Sequence, residues 1–422
     1  MKKNKLAVTP HQLCPGLYVI LPVRWAQHPF VFNRFKIRSQ KQVAIIQSLG
    51  LDYVLVVPER SDTKPLEPPK KPEPAPAAKD EELDAELAAA FALKEQQIAR
   101  QKAYMRGLQN TEQDFQRALV HTKAVMQDMQ RRPQSAFGEG KAMVSEIARV
   151  LTSQSDVVLH LMNEPKTDDG FYCHSLNVAV LAMLIARTAG MSEAQMVDAG
   201  LGGLFHDLGK SRLPSQILRK TEPLTEAEQN FLKLHTQYGY ELAGQYPDFP
   251  DAVREVIFQH HEALDGTGYP KGLKGEEIAQ LARLVAVANE YDNLCHGRCQ
   301  EPGMSPHAVL SHLYKHEQHR LDQGIVQYFI RVLGVYPPGT LVQLNDDQYG
   351  LVMTVNSAKL LSPAVLVYDP AVPRDQAAII DLEEAGLAVS RTVKATALPQ
   401  AVFDYLKPRS HISYYMEARG GH

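Results

Sequence analysis

The chain has 422 residues, enough for two or three domains and a sizeable buried core. Its 45 Lys+Arg against 48 Asp+Glu leave a net charge of −3, with 44% hydrophobic and 22% charged residues. That balance excludes a nucleic-acid binder acting through bulk positive charge, an acidic disordered tail and a collagen-like chain. No apolar run approaches the roughly 18 residues needed to cross a bilayer, and the stretch after the basic start is too polar for a signal-peptide core. Four cysteines (Cys14, Cys173, Cys295, Cys299) are too few and too irregularly placed for a disulfide framework. A cytoplasmic protein, free of membrane and without direct nucleic-acid binding, is expected.

Residues 1–62 alternate short apolar runs with turn residues. LYVILPV and YVLVVP read as strands and VAIIQSLG between them as a short helix ending at Gly50, giving a small α+β N-terminal domain. Six prolines between Pro65 and Pro76 make 63–80 a linker, because proline supplies no donor to a ladder and favours extended backbone. Residues 81–134 are rich in Ala, Leu, Glu, Gln, Lys and Arg without proline until Pro133, and Leu83, Leu87, Ala90, Phe91 and Leu93 recur at helical intervals. One or two long helices fit, either packed on the next domain or pairing with a second copy as a homodimeric coiled coil.

Residues 135–335 read as mostly helical. Ser192 with Gln195 and Thr225 with Glu228 are capping boxes, and 176–186 is apolar nearly all round, as in a helix at the centre of a bundle. From Tyr336 the register changes to strands joined by an Asn/Asp turn, a small β appendage over 336–422 whose last 25 residues carry little pattern. The expected fold class is mainly α: a helical bundle with a small α+β domain before it and a small β appendage after it.

Histidines and acids recur through the helical region: His174, His206-Asp207, His235 and His260-His261, in steps of 32, 29 and 25 residues. A helix and its connection take roughly 20–30 residues in a bundle, so this spacing delivers about one ligand group per helix toward a common interior point. Imidazole and carboxylate donors suit a divalent ion such as iron, manganese, zinc, nickel or cobalt. Taken singly, His174 and His235 fit equally a satisfied core histidine. Adjacent residues on a helix point about 100° apart, so His260 and His261 reach one cluster only near a helix end or around more than one ion. At His206-Asp-Leu-Gly-Lys210 an apolar segment ends in three titratable groups, whose burial costs several kcal/mol, on the order of 2–7 each, without partners.

His206-Asp-Leu-Gly-Lys210, followed by His260-His-Glu and Asp265-Gly-Thr-Gly-Tyr-Pro270, resembles the HD-GYP family of bacterial cyclic di-GMP phosphodiesterases, a branch of the HD hydrolases. The match runs from about His174 to Arg298. The stretch 8–60, with Trp25 and His28-Pro29-Phe30, resembles the domain often found ahead of HD-GYP domains in proteobacteria. The resemblance implies an HD-type bundle holding two divalent transition-metal ions, iron or manganese. Their ligands would be His174, His206, Asp207, His235, His260 and His261. Lys210 would touch a phosphate oxygen and act with Asp207 in catalysis. Asp265, Gly266, Gly268, Tyr269 and Pro270 would form the substrate loop.

Two departures stand out. The family's last ligand is an aspartate, but here the segment reads Ala288-Asn-Glu-Tyr-Asp-Asn293, placing Asn289 at the ligand position and Asp292 one helical turn on, as a substitute or a supporting partner. The family's Arg-Pro-Tyr-Arg becomes Arg298-Cys-Gln-Glu301, keeping only the first arginine as a substrate contact. Members with a third ion carry Glu four residues before the first histidine; here Gly170 stands there, implying two ions. The implied reaction is hydrolysis of cyclic di-GMP to pGpG and onward to GMP. The alternatives are a weakly active cyclic di-GMP sensor or protein-docking module with signalling partners, and an HD hydrolase of another dinucleotide such as cyclic GMP-AMP. Cys295 and Cys299 read as ordinary thiols more readily than as half of a zinc site.

Overall fold

The computed structural model describes residues 5–68, 81–153, 157–162, 169–297, 303–355, 359–408 and 413–418. The Pro-rich stretch from 69 to 80, and Arg298 and Cys299, lie outside the described residues.

The N-terminal unit is a four-stranded antiparallel sheet of β1 (Leu6–Val8), β2 (Tyr18–Ile20), β3 (Arg34–Lys36) and β4 (Val54–Val56), ordered β1-β4-β2-β3. Helix α1 (Gln40–Ser48) covers it, capped by Ser39, whose hydroxyl accepts from Gln42 N, and buries Val43, Ile45 and Ile46. Residues 61–68 fold back on this unit: Leu66 N donates to Gln12 O at 2.9 Å and Asp62 N to Gly16 O at 2.8 Å.

A single helix, α2 (Glu81–Asp128), follows. Lys94, Gln101, Leu108, Phe115, Thr122 and Met129 are buried at seven-residue spacing from α2 into the turn after it. This stripe packs within its own chain, first on the N-terminal unit and the C-terminal sheet, then on the bundle.

The bundle comprises α3 (Pro133–Ser153), then, beyond a strand β5 (Val157–Met162), α4 (Gly170–Thr188), α5 (Glu193–Phe205), α6 (Ser215–Leu218), α7 (Glu226–Lys233), α8 (His235–Gly244), α9 (Asp251–Gln259), α10 (Gln280–His296), α11 (Pro306–Lys315) and α12 (Gln323–Leu333). Both expected capping boxes form: Gln195 N donates to Ser192 Oγ at the head of α5, and Glu228 N to Thr225 Oγ1 at the head of α7. Helix α4 is the central rod, buried from Ser175 to Ala186. Contrary to the reading that no segment has the length and apolarity of a membrane span, α4 does by length and composition, but 72% of its apolar window is buried inside the protein. Helix α5 lies so close to it that a Cβ on Gly203 would sit 2.7 Å from Ala179 Cα.

The C-terminal sheet has the order β10-β6-β7-β8-β9, from β6 (Leu341–Leu344), β7 (Tyr349–Thr354), β8 (Ala364–Val367), β9 (Ile379–Asp381) and β10 (Val389–Thr392), all neighbours antiparallel. It packs on the N-terminal unit. Trp25 shares a core with Leu341, Leu351 and Leu366, and buried Asp369 accepts from Asn33 N at 3.0 Å. Beyond α13 (Gln400–Leu406), strand β11 (Ser413–Ala418) returns to the bundle and pairs antiparallel with β5, Ser413 opposite Met162. Neither strand of this ribbon was expected from sequence. Tyr414 runs into the bundle core, where its hydroxyl meets that of Tyr291 at 3.0 Å.

Candidate metal centre

The histidine positions are set by helix ends. His174 stands in the first turns of α4, His206 caps the C-terminus of α5 with Asp207 following, His235 is the first residue of α8, and His260 caps α9 with His261 beside it. Helix ends free these side chains from their own helix faces, so adjacent residues such as 206–207 and 260–261 reach one region. Close backbone packing fixes the approach of α8: a Cβ on Gly209 would fall 1.9 Å from the His235 carbonyl oxygen.

Four ring nitrogens face inward. His174 Nε2 lies 3.1 Å from His206 Nε2, and His235 Nε2 lies 3.3 Å from His260 Nε2. Between the pairs stands Asp207, with Oδ2 at 3.3 Å from His206 Nε2 and 3.8 Å from His174 Nε2, and Oδ1 at 3.3 Å from His235 Nε2 and 3.9 Å from His260 Nε2. Two donor groups result, Asp207 with His235, His260 and His261, and Asp207 with His174 and His206; within each, the ligand atoms lie within 4.8 Å of one another.

The opposite ring nitrogens face outward to acceptors. Nδ1 of His206 donates to Gly203 O at 2.7 Å, that of His235 to Leu232 O at 2.7 Å, that of His260 to Ile257 O at 3.0 Å, and that of His174 to Asp292 Oδ2 at 2.6 Å. Each Nδ1 proton is thereby spent, which leaves Nε2 a bare lone pair. Lone pairs 3.1–3.3 Å apart repel unless a cation lies between them, and outward N–H donation is the habitual partner arrangement of metal-bound imidazole. Burial pulls His260 and His261 well below the ordinary imidazole range and His235 down to about 4, keeping these rings neutral. Burial pushes the Asp207 carboxyl upward, but Lys210, His206 and His235 outweigh it and hold the group well below its usual value. Asp207 Oδ1 is buried and accepts no hydrogen bond. Neutral donors around an orphaned carboxylate oxygen fit divalent cations.

The other sequence-marked residues divide. Lys210 donates to Asp207 Oδ2 at 2.5 Å and borders a cavity of about 1100 Å³ beside the centre. Asn289 is buried and its Oδ1 accepts from Asn293 Nδ2 at 2.8 Å. The Asp292 oxygens are engaged by His174 Nδ1 and Asn177 Nδ2, with His296 Nδ1 at 3.4 Å. In the loop, Tyr269 stacks on His261 with centroids 4.7 Å apart, and Tyr269 N donates to His261 O at 3.1 Å. Asp265 Oδ1 accepts from Thr267 N and Oγ1 within the loop. Gly266 has φ +81°, and a Cβ on Gly268 would fall 2.3 Å from Ala263 N, so both positions require glycine. Pro270 follows at the loop exit, and Arg298 lies outside the described residues.

Sequence reasoning missed two residues that hold this arrangement, Glu262 and Asn177, and one that stands at the edge of the neighbouring cavity, Arg131. Glu262 accepts from Lys271 N at 2.7 Å and Leu273 N at 3.0 Å, pinning the loop. Asn177 bridges Asp292 to the C-terminal strand, accepting from Tyr414 N at 2.9 Å. Arg131, after α2, borders the cavity that Lys210 also lines. A lone amide in the otherwise apolar 176–186 run was the available signal for Asn177.

A helical bundle that converges imidazoles and one carboxylate from four helix ends defines a metal-site protein of the HD class. Residues 142–325 match the HD domain family and residues 5–139 the Domain of unknown function DUF3391. The chain thus carries an HD domain behind a DUF3391 segment, and its HD and Gly-Tyr-Pro motifs are similar to those of the HD-GYP branch of HD-domain proteins. It is 28% identical over 396 residues to "Cyclic di-GMP phosphodiesterase PA4108" of Pseudomonas aeruginosa, covering 89% of this chain and 88% of that one. It is 36% identical over 152 residues to "Cyclic di-GMP phosphodiesterase response regulator RpfG" of Xanthomonas campestris, covering 36% of this chain and 40% of the relative. To "3'3'-cGAMP-specific phosphodiesterase 1" of Vibrio cholerae it is 32% identical over 202 residues, covering 47% and 45%. The chain thus spans less than half of the second and third relatives.

Proposed function

We propose that the protein is a metal-dependent phosphodiesterase that opens cyclic di-GMP to pGpG, and onward to GMP, in the cytoplasm, with two iron or manganese ions. The observation that carries this is the pair of facing Nε2 contacts, His174–His206 and His235–His260, with Asp207 between them and every Nδ1 proton directed away. The geometry supports one cation held by His174, His206 and Asp207 and another by Asp207, His235, His260 and His261. Such ions lower the pKa of water to near neutrality and neutralise phosphoryl charge.

The chain's own residues do the rest. Asp207 supplies the negative charge shared by the two donor groups. Lys210, tied to Asp207 Oδ2, keeps an ammonium at the cavity edge, where it neutralises a phosphate oxygen as charge builds. Asp292 holds the His174 ring in the tautomer that presents Nε2. Tyr269, stacked on His261, closes one side of the site.

The test is metal analysis of anaerobically purified protein, with chromatography of products from cyclic di-GMP. About two ions per chain and multiple turnovers are expected; His206→Ala and Asp207→Ala should abolish turnover and lower occupancy, and full activity of His206→Ala would refute the site. A cyclic di-GMP sensor is the second reading, favoured by the neutral amide of Asn289 bonded to Asn293. Stoichiometric binding without cleavage, with cleavage appearing in Asn289→Asp, would establish it. Running 3'3'-cGAMP in parallel decides the substrate.

A further inference from the structure

The cavity beside the metal centre is not built by the HD bundle alone. Its walls include Lys210 and Ser211 after α5, Phe171 and Tyr172 at the head of α4, Arg219 and Lys220 after α6, and, opposite, the end of α2 and the turn that follows it, from Met126 to Arg131. That last wall belongs to the segment matched by DUF3391, which ends at 139. It is held firmly. Lys123 donates to Asp169 Oδ1 at 2.6 Å and lies 5.7 Å from the Tyr172 ring centre, Met129 is buried, and Arg131 N donates to Asp128 O at 2.9 Å.

A cyclic dinucleotide carries two phosphodiester groups, and only one can sit at the metal centre under Lys210 during a cut. Lys210, bonded to Asp207 and lining the cavity, joins the two regions, and a second anion reaching into the cavity needs a cation of its own. Lys220 is committed to Glu228, with contacts of 2.8 and 2.6 Å, and Arg219 has a partner within the chain. Asp128, the acid on this wall, is paired with Arg132. Among the described residues, Arg131 is the cavity cation with an exposed side chain and no ion pair. A guanidinium presents a planar fork of donors that matches a phosphate, and its charge cannot be lost at working pH.

Resting on the functional reading above, we propose that Arg131 is a substrate-binding residue: its guanidinium grips the distal phosphate of the cyclic dinucleotide, so that the DUF3391 segment supplies part of the substrate cleft. Such a contact acts on substrates with two phosphodiesters and not on those with one.

Full-length Arg131→Ala and Arg131→Lys are assayed with cyclic di-GMP and with bis(p-nitrophenyl) phosphate, which has a single phosphodiester. For Arg131→Ala, KM for cyclic di-GMP should rise about tenfold or more, the loss of one charge-assisted phosphate contact. Its kcat, metal content and rate on bis(p-nitrophenyl) phosphate should stay within about twofold of wild type, and Arg131→Lys should recover part of the KM. An unchanged KM overturns the proposal, as does a parallel loss on both substrates, which would mark a structural role. If wild type binds cyclic di-GMP without cleaving it, the same tenfold change is read in Kd, so failure of catalysis and failure of the Arg131 contact remain separate results. If wild type neither cleaves nor binds cyclic di-GMP, the functional reading fails and the Arg131 assignment fails with it.

Discussion

His174 and Asp292, 118 residues apart in sequence, meet in a 2.6 Å hydrogen bond between Nδ1 and Oδ2 behind the metal centre. Asn177 and His296 hold the carboxylate from its other sides, so its lone pairs are directed away from the cluster of facing Nε2 atoms. The ring of His174 is thereby oriented from outside. Asp292→Ala should therefore weaken metal affinity by about 10–100-fold, as loss of such an orienting carboxylate does, while Asp292→Asn, which retains an oxygen acceptor, should cost less. A chelator-competition titration reads both. Equal affinity in wild type and Asp292→Ala would show that His174 needs no such support.

The approach of α8 to the short turn after Asp207 allows no side chain at Gly209. An added Cβ would lie 1.9 Å from His235 O and 2.4 Å from Gly239 N, both backbone atoms that cannot rotate aside. Gly209→Ala should push α8 outward, destabilise the fold by about 1–3 kcal/mol as overpacking does, and reduce metal binding because His235 moves with its helix. Gly138→Ala in α3 is the control: nothing lies within 4 Å of its added Cβ, and removal of a helical glycine should stabilise by about 0.5–1 kcal/mol. Urea denaturation with metal analysis separates the two. Retention of full metal content in Gly209→Ala would show that α8 does not fix His235.

The histidine cluster was readable in part because His206 and Asp207 follow the apolar end of α5, so charged groups after a hydrophobic run were visible without coordinates, and in part because His174, His235 and His260-His261 recur at about one per helix. The caps at Ser192 and Thr225 were legible for the same local reason. The β5–β11 ribbon was not, since Ser413 pairs with Met162 across some 250 residues and neither strand has a partner nearby in sequence. Lys94 and Gln101 were also opaque. In a helix rich in Lys, Glu and Gln they read as solvated, and only the carbonyls of Trp25, His28 and Arg374 show why they are buried. At Asp265 the sequence did not show the local turn, in which Oδ1 accepts from Thr267 Oγ1.

Glu228 gives a pH dependence with a definite sign. Lys220 and the Thr225 backbone N–H hold its carboxyl down to about 2 from an ordinary 4.5. A lowered folded-state pKa means that the unfolded chain binds the proton first as pH falls, so the stabilisation is whole above about 4.5 and is lost toward 2. Glu228→Gln should lower the thermal midpoint at pH 7, and the gap from wild type should close as pH approaches 2. A gap that stays constant across that range would mean that the ionised carboxylate contributes nothing. High salt should also narrow the gap at pH 7, since the Lys220 pair is partly exposed.

Lys94 ties the long helix to the N-terminal unit. Its ammonium donates to Trp25 O at 2.5 Å and to His28 O at 2.7 Å, and stands 3.7 Å from the centre of the Trp25 ring. Lys94→Met keeps the length and apolar stem but leaves both carbonyls without that donor, a loss of about 2 kcal/mol or more at about 1–3 kcal/mol for each buried group. Trp25 is the chain's single tryptophan, so its fluorescence reports this contact directly. The variant should show altered emission in the native state and a lower denaturation midpoint by fluorescence, while metal content is retained, since Lys94 touches none of the candidate ligands. Because α2 continues from Lys94 to the wall of the cavity proposed to take the substrate, loosening it should also raise KM for cyclic di-GMP. An unchanged emission spectrum would show that the ammonium does not rest on the indole in solution, and an unchanged KM would show that the N-terminal clamp and the cleft are mechanically independent.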